Sequence, residues 1–395
     1  MSFRPNLQIA QFLATTVGAD SLAKADALTL TPETMLTDLK ILRQWLTPAQ
    51  AAGVAEQIQL RRKGVTKFER ADNMLFTHEA LEQATDSRVA QYRAARFQDS
   101  RRVADLGCSI GGDSLWLAMV TDQVLGIDLD QVRLIFARHN AAAYNLYDKI
   151  AFIQADVCYP PACLNRFDAI FADPARRTEG RRTVRPQFYH PPLDKLMETY
   201  AGQPLGIKVA PGMDFSAATL ADEIEVISLN GEVKEAVLWF RDLAIPGVSR
   251  RATLLPDGKT LTDETSSQCA IGGLGDYLYE PDPAVIRAGL VGQLGMQLDI
   301  NLLDPNIAYL SGNQAIESPF IKGYQIEARL SLKVKQINHY LQQHQIGPLN
   351  VKQRGTGLSP ERVEKQLKPA KNGLKRTLIL IRIQDDHLAL ICDRL

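Results

Sequence analysis

Val103-Ala-Asp105-Leu-Gly107-Cys-Ser109-Ile-Gly111-Gly112-Asp113 is the stretch whose reading decides the fold. A short apolar strand runs into a loop with glycines at 107, 111 and 112, and a helical stretch around Leu115–Met119 follows. Glycine suits a backbone that must turn sharply and approach a ligand with no Cβ in the way. Working outward, a second strand at Val124–Asp128 precedes a helix at Val132–Asn145, and further strands fall at Ala151–Gln154 and Ala169–Ala172. Strands alternating with helices predict an α/β fold built on a doubly wound parallel sheet. Leu205–Val209 and Ala236–Arg241 supply later strands.

The second strand ends in Gly126-Ile127-Asp128, 23 residues after Asp105. A carboxylate at that spacing accepts hydrogen bonds from both ribose hydroxyls of a nucleoside cofactor. The first turn departs from GxGxxG, because Ser109 and Ile110 stand where the second glycine of a dinucleotide site falls. Asp105, two residues before the first glycine, instead offers an acceptor for the ammonium group of a methionine moiety. Asp156 follows the third strand, within reach of an adenine edge, and Asp173-Pro174 follows the fourth, beside the place of a transferred methyl group. Any one of these acids could be a helix cap. Four of them at the ends of successive strands converge on one crevice at the carboxyl edge of a parallel sheet. The expected cofactor-binding set is Asp105, Gly107, Ser109, Gly111, Gly112, Asp128 and Asp156, and the expected catalytic set is Asp173, Pro174 and Arg176.

Residues 1–97 read as a helical cap, with Thr31-Pro32-Glu33 and Thr47-Pro48-Ala49 as helix starts and a helical pattern from Thr77 continuing to Phe97. Residues 98–272 form the α/β domain. The Gly-rich stretch Ile271–Gly275 marks the passage to a small α+β domain over 273–395, with a helix at Pro283–Leu294, another at Pro360–Leu367 and a last strand at Thr377–Ile383.

The chain of 395 residues has no net charge, but residues 321–395 carry 14 Lys and Arg against 6 Asp and Glu. That net of +8 points the C-terminal domain toward an acidic partner, nucleic acid first. Its cations include Lys352, Arg354, Arg362, Lys365, Lys368, Lys371, Lys375 and Arg376. With no aromatic platform among them, they suit the phosphates of structured RNA better than bare bases. Arg176, Arg177, Arg181, Arg182 and Arg185 form a second basic cluster, at the expected mouth of the site; either they meet phosphates or they make salt bridges to the acidic part of the chain. Phe188 and Tyr189 could wall a base or fill a core. Five scattered cysteines without a CxxC pair, and isolated histidines, suggest neither disulfides nor a metal. With neither a membrane-spanning run nor a leader-like N-terminus, the expected place is the cytoplasm.

Asp105-Leu-Gly-Cys-Ser-Ile-Gly-Gly-Asp113, Gly126-Ile-Asp128, Ala137-Arg-His-Asn140 and Gln154-Ala-Asp156 resemble the class I methyltransferase core of the RNA cap guanine-N2 (trimethylguanosine synthase-like) group. Phe76–Ala84, Tyr92–Phe97, Asp173–Arg177 and Ile346–Arg354 resemble bacterial methyltransferases with a THUMP-like C-terminal domain. The resemblance implies a Rossmann-like core, S-adenosyl-L-methionine as cofactor and RNA as partner. It also implies a fourth motif of the form Asp/Asn-Pro-Pro-aromatic, in which the acid orients a target amine. Asp173-Pro174 keeps its first half, while Ala175-Arg176 removes the second proline and the ring. Arg176 can stack on a base or bind phosphate instead. The expected function is methylation of a nitrogen in structured RNA, tRNA or rRNA. Methylation of a protein or small molecule, and a non-catalytic RNA-binding role, stay open.

Overall fold

The computed structural model describes residues 3–159, 164, 166–178, 181–265, 269–384 and 386–395, and only the backbone of Arg177, Thr178, Arg181, Arg182 and Ala217. Much of the arginine cluster, and Cys163, therefore lie outside the described side chains. The chain folds as two compact units, one of residues 1–223 with 235–246, the other of 224–234 with 247–395.

The first unit opens with helices α1 (Leu7–Leu13), α2 (Thr16–Ala25), α3 (Met35–Leu42) and α4 (Pro48–Gly64). The start of α4 is as expected: Pro48 takes N1, and Thr47 and Gln50 close a reciprocal capping box. The start of α3 lies three residues later than Thr31-Pro32 suggested. Thr31–Thr34 form a turn, because the Thr34 hydroxyl is drawn to the Asp38 carboxylate (2.7 Å), which also accepts the Leu30 N–H (2.9 Å). The pattern read as continuous from Thr77 is two helices, α5 (His78–Gln83) and α6 (Ser87–Ala94). Asp86 caps α6, and the Lys67 ammonium collects the carbonyls of Leu81, Glu82 and Ala84, ending α5 before it.

Next come β1 (Arg102–Leu106), α7 (Gly112–Val120), β2 (Gln123–Asp128), α8 (Gln131–Ala143), β3 (Ile150–Gln154) and β4 (Ala169–Ala172). A two-residue ribbon of β5 (Arg177–Thr178) and β6 (Arg181–Arg182) precedes α9 (Leu193–Thr199), β7 (Leu205–Val209), β8 (Glu223–Leu229) and β9 (Glu232–Phe240). Within this unit the sheet runs β3-β2-β1-β4-β7-β9. The first five strands are mutually parallel and β9 is antiparallel to β7. The order reverses between β1 and β4, and at such a switch point the strand ends splay into a crevice. Strands β1, β4 and β7 are buried almost throughout, as parallel strands covered on both faces must be.

In the second unit, β8 pairs in parallel with β10 (Arg250–Leu255), which pairs with β11 (Lys259–Thr262). The C-terminal part holds β12 (Tyr277–Pro281), α10 (Pro283–Ala288), α11 (Val291–Leu298), β13 (Asn301–Asp304), β14 (Ile307–Gly312), β15 (Ile321–Ser331), α12 (Val334–Gln343), β16 (Ile346–Arg354), α13 (Pro360–Glu364), β17 (Leu374–Ile383) and β18 (Asp386–Arg394). The helix expected over Pro283–Leu294 is broken at Gly289, whose left-handed φ of 79° ends α10. The seven strands run β13-β14-β12-β15-β18-β17-β16. Leu378 and Leu380 of β17 face a core with α12 and α13, while Ile379 and Ile381 face a second core with Tyr309 and Tyr324. The sheet is thus buried on alternate faces, the period of two that strands impose. Among the described residues no helix is long and apolar enough to cross a membrane, and no cluster of His, Cys, Asp or Glu could hold a metal ion.

Candidate active site

Because β1, β2, β3, β4 and β7 run in parallel, their carboxyl ends share one edge of the sheet. Asp105, Asp128, Asp156 and Asp173 all lie at or just beyond those ends, which is where their spacing placed them. Asp105 is fully buried; Ser114 donates a short hydrogen bond to its Oδ2, while Oδ1 has no partner. The Ser109 hydroxyl is a second buried polar group without one. Ser109 itself has a left-handed φ of 53°, so the loop holds a conformation that only a fixed surround maintains.

Gly107 (φ 76°) and Gly111 (φ 81°) share that region. A Cβ on Gly107 would also stand 3.1 Å from the carbonyl oxygen of Asp173, so this glycine lets β1 and β4 close on each other at the crevice. Gly112 opens α7 with only ordinary contacts toward Phe68. Asn140, buried in α8, donates to the carbonyls of Leu75 and Ile110 and accepts the Leu75 N–H, tying the loop to the N-terminal region.

Asp128 accepts the N–H of Ser109 (2.9 Å) on one oxygen and that of Asp130 (2.8 Å) on the other, which fixes the plane of its carboxylate against the loop. Asp156 accepts the Cys158 N–H (2.8 Å) in a local turn. His139 lies 3.0 Å from the Asn73 carbonyl, an ordinary polar contact of a surface helix. Pro174 is buried, Arg176 half-buried and Arg185 exposed. Of the aromatic pair, Tyr189 is fully buried with its hydroxyl accepting the Ala210 N–H (3.1 Å), whereas Phe188 is largely exposed.

The structure adds charged groups that sequence reading did not assign. Lys208 of β7 is 3% exposed; it donates to Asp173 Oδ2 (2.6 Å) and to the Thr85 hydroxyl (2.7 Å). Arg93 of α6 is equally buried, bridges Asp113 and Glu235, and lies with its guanidinium 4.4 Å from the centre of the Phe171 ring. Burial works against the Arg93 charge, but Asp113 and Glu235 more than restore it. Burial also raises the Asp173 carboxyl, yet the Lys208 and Arg176 cations outweigh it and bring it below the usual carboxylate range. The one available signal was Lys208 itself, a charge inside the apolar run Leu205-Gly-Ile-Lys-Val209 at the same strand end as the four acids.

Asp105 moves the other way. Burial first, and then the Asp113 carboxylate, push it up to about 8. A carboxyl raised on folding favours the folded state below its unfolded value near 4, and that advantage is lost as pH rises through 8. Asp105→Asn should therefore gain stability relative to the wild type as pH climbs from about 4 to 8, by more than about 1 kcal/mol. Urea unfolding of both proteins at several pH values checks this; a constant gap would refute it.

Comparison with known proteins meets this geometry at three levels. A methyltransferase-domain family matches residues 103–181, a THUMP-domain-like family residues 321–394, and a domain of unknown function residues 6–64. An S-adenosylmethionine-dependent methyltransferase of Mycobacterium tuberculosis is 36% identical over 328 residues, covering 81% of this chain and 89% of the relative. A 23S rRNA (uracil(1939)-C(5))-methyltransferase of Salmonella typhi is 32% identical over 102 residues, a quarter of this chain. The crystal structure of a protein assigned as a methyltransferase from Porphyromonas gingivalis W83 superposes with a TM-score of 0.77 at 21% identity, over 95% of this chain and 98% of that one, and so shares its fold.

Proposed function

The chain belongs to the S-adenosylmethionine-dependent methyltransferases, and from that premise we propose that it methylates a nitrogen of structured RNA, tRNA or rRNA, docked through its C-terminal domain. The residues at the crevice fit the cofactor. The partnerless Asp105 Oδ1 and Ser109 hydroxyl are polar groups awaiting a ligand, and the left-handed glycines keep the loop clear for its approach. When bound, the cofactor supplies a methyl group on a sulfonium, activated for in-line displacement.

This chain's residues do the rest by placement. Asp105, Gly107, Ser109, Gly111 and Gly112 are assigned to the methionine end, Asp128 to the ribose and Asp156 to the adenine. Asp173, ionised and followed by the buried Pro174, is assigned to orient the target amine and ease loss of its proton. Arg176, beside it, is assigned to the base or phosphate of the substrate. The nitrogen acceptor is supported by Asp173-Pro174, which keeps the first half of the amine-methylase motif.

The observation that carries the RNA reading is the crossover from β16 to β17. Arg362, Lys365, Lys368 and Lys371 are exposed on it, and Lys375 is exposed at the start of β17. Lys352, Arg354 and Arg376 turn inward: Lys352 and Arg354 pair with Glu280 and lie over the rings of Tyr324 and Tyr309, and Arg376 pairs with Glu327 (2.7 Å). Replacing the five exposed cations by serine should weaken RNA binding at least ~100-fold at moderate salt and flatten its salt dependence by roughly 3–5 in log–log slope. Cofactor binding should be unchanged.

The test of function offers tritium-methyl S-adenosylmethionine and purified protein to RNA, DNA and protein fractions from a strain lacking this gene. Label is expected in one RNA size class and not in wild-type RNA. Label in protein alone overturns the RNA reading, and cofactor binding without transfer to any fraction points to a small-molecule substrate or a non-catalytic role.

A further inference from the structure

We propose that Lys208, steadied by Thr85, is a positioning residue for methyl transfer: it takes one carboxylate oxygen of Asp173 and leaves the other to the substrate. The proposal rests on the functional reading above and deepens it.

The geometry is specific. The Lys208 ammonium has three hydrogens, of which one goes to Asp173 Oδ2 at 2.6 Å and one to Thr85 Oγ1 at 2.7 Å. With its side chain 3% exposed, the lysine cannot exchange these partners for water. Asp173 keeps 23% exposure, so with Oδ2 accepting from Lys208 the carboxylate retains acceptor capacity that a substrate can use. A carboxylate that accepts from a fixed ammonium on one side presents its remaining lone pairs in a fixed plane.

Thr85 reaches Lys208 because the chain breaks between α5 and α6. The N-terminal helices thus deliver a hydroxyl to a lysine more than a hundred residues away. The arrangement also selects its acceptor: one donor hydrogen on the target finds a partner in the free oxygen, while the methyl acceptor's other substituents must be placed by other groups. The charged and titratable groups around Asp173 are Lys208 on β7, Arg176 on its own loop, Arg93 on α6, Asp105 on β1, Asp113 on α7 and Tyr189 before α9.

The experiment compares the full chain with Lys208→Met, Lys208→Arg and Thr85→Val. Titration of the Asp173 carboxyl is followed by carbon-13 NMR on aspartate-labelled protein, with Asp173→Asn assigning the resonance. Steady-state transfer to the accepting RNA fraction is measured across pH. In Lys208→Met the Asp173 titration should rise by about one to three units, as expected when an adjacent cation is lost. The acid limb of kcat should rise with it, kcat should fall ~30–300-fold, and KM should stay within ~3-fold. Lys208→Arg should recover at least ~10-fold of the loss. Should Lys208→Met not fold, Thr85→Val, which keeps the ion pair, should still lower kcat ~3–10-fold with KM unchanged. An unmoved titration, a loss of kcat with the acid limb in place, or a Thr85→Val enzyme with wild-type kcat overturns the proposal. If the wild type labels no RNA, the RNA reading falls, and the carboxyl titration alone decides the role of Lys208.

Discussion

Asp173→Asn should abolish turnover, lowering single-turnover methyl transfer ~100–1,000-fold while the affinity for S-adenosylmethionine stays within ~3-fold. The substitution keeps the shape of the side chain and an oxygen for Lys208 but removes the negative charge. On the proposed reading it therefore removes the carboxylate that orients the target amine and eases loss of its proton. Asparagine is the informative choice: both substitutions take the counter-charge from the Lys208 ammonium, 3% exposed, but asparagine keeps an acceptor for it, whereas Asp173→Ala leaves neither charge nor acceptor. Breaking a buried pair from one side costs about 3–5 kcal/mol of stability, which would mix unfolding with catalysis. Equilibrium binding of the cofactor and transfer of tritiated methyl, on the same preparation, separate the two effects. A loss smaller than ~10-fold would remove Asp173 from the chemistry and return it to a scaffolding role.

The second large effect concerns stability. Arg93→Met should destabilise the first unit by about 3–5 kcal/mol, because it leaves the Asp113 and Glu235 carboxylates buried beside an apolar side chain. For a unit of this size that corresponds to a fall in Tm of roughly 8–15 °C. Adding Glu235→Gln should return about half of the loss, since it removes one of the two stranded charges. Differential scanning calorimetry of the two variants decides it. A fall under about 3 °C would mean that water or a shifted lysine reaches the site and that the buried network is not what joins α6 to the sheet.

The two predictions show where the site could be read from the chain and where it could not. The four acids were legible because each is written at the end of its own strand, and parallel strands bring their carboxyl ends together whatever their order. The glycine loop was legible for the same local reason: its left-handed residues sit between a strand and the helix it opens. Lys208, Thr85, Arg93 and Glu235 were not. They lie on β7, on the break after α5, on α6 and on β9, and nothing in their neighbours says that these four elements meet. The break itself was hidden, since Ala84-Thr85-Asp86 has no glycine or proline; a lysine from Lys67 and the cap at Asp86 end one helix and start the next.

The same division holds in the C-terminal domain. Its excess of cations could be counted on the page, but which of them face water could not. Lys352 and Arg354 differ from Lys365 and Lys368 only by standing on β16 opposite Glu280 rather than on the crossover beyond it.

By itself, then, the sequence determined the α/β class, the glycine loop, the four strand-end acids and the basic character of the last domain. Each is set by residues adjacent along the chain or by a periodicity. Only the tertiary structure decided which charges are spent on one another. It placed β9 antiparallel beside β7 and laid α6 over β4, so that Glu235, Arg93 and Lys208 were buried within reach of Asp113 and Asp173. Buried charges must find partners, and the partner is whichever opposite charge the packing of distant segments brings near, which no local pattern records.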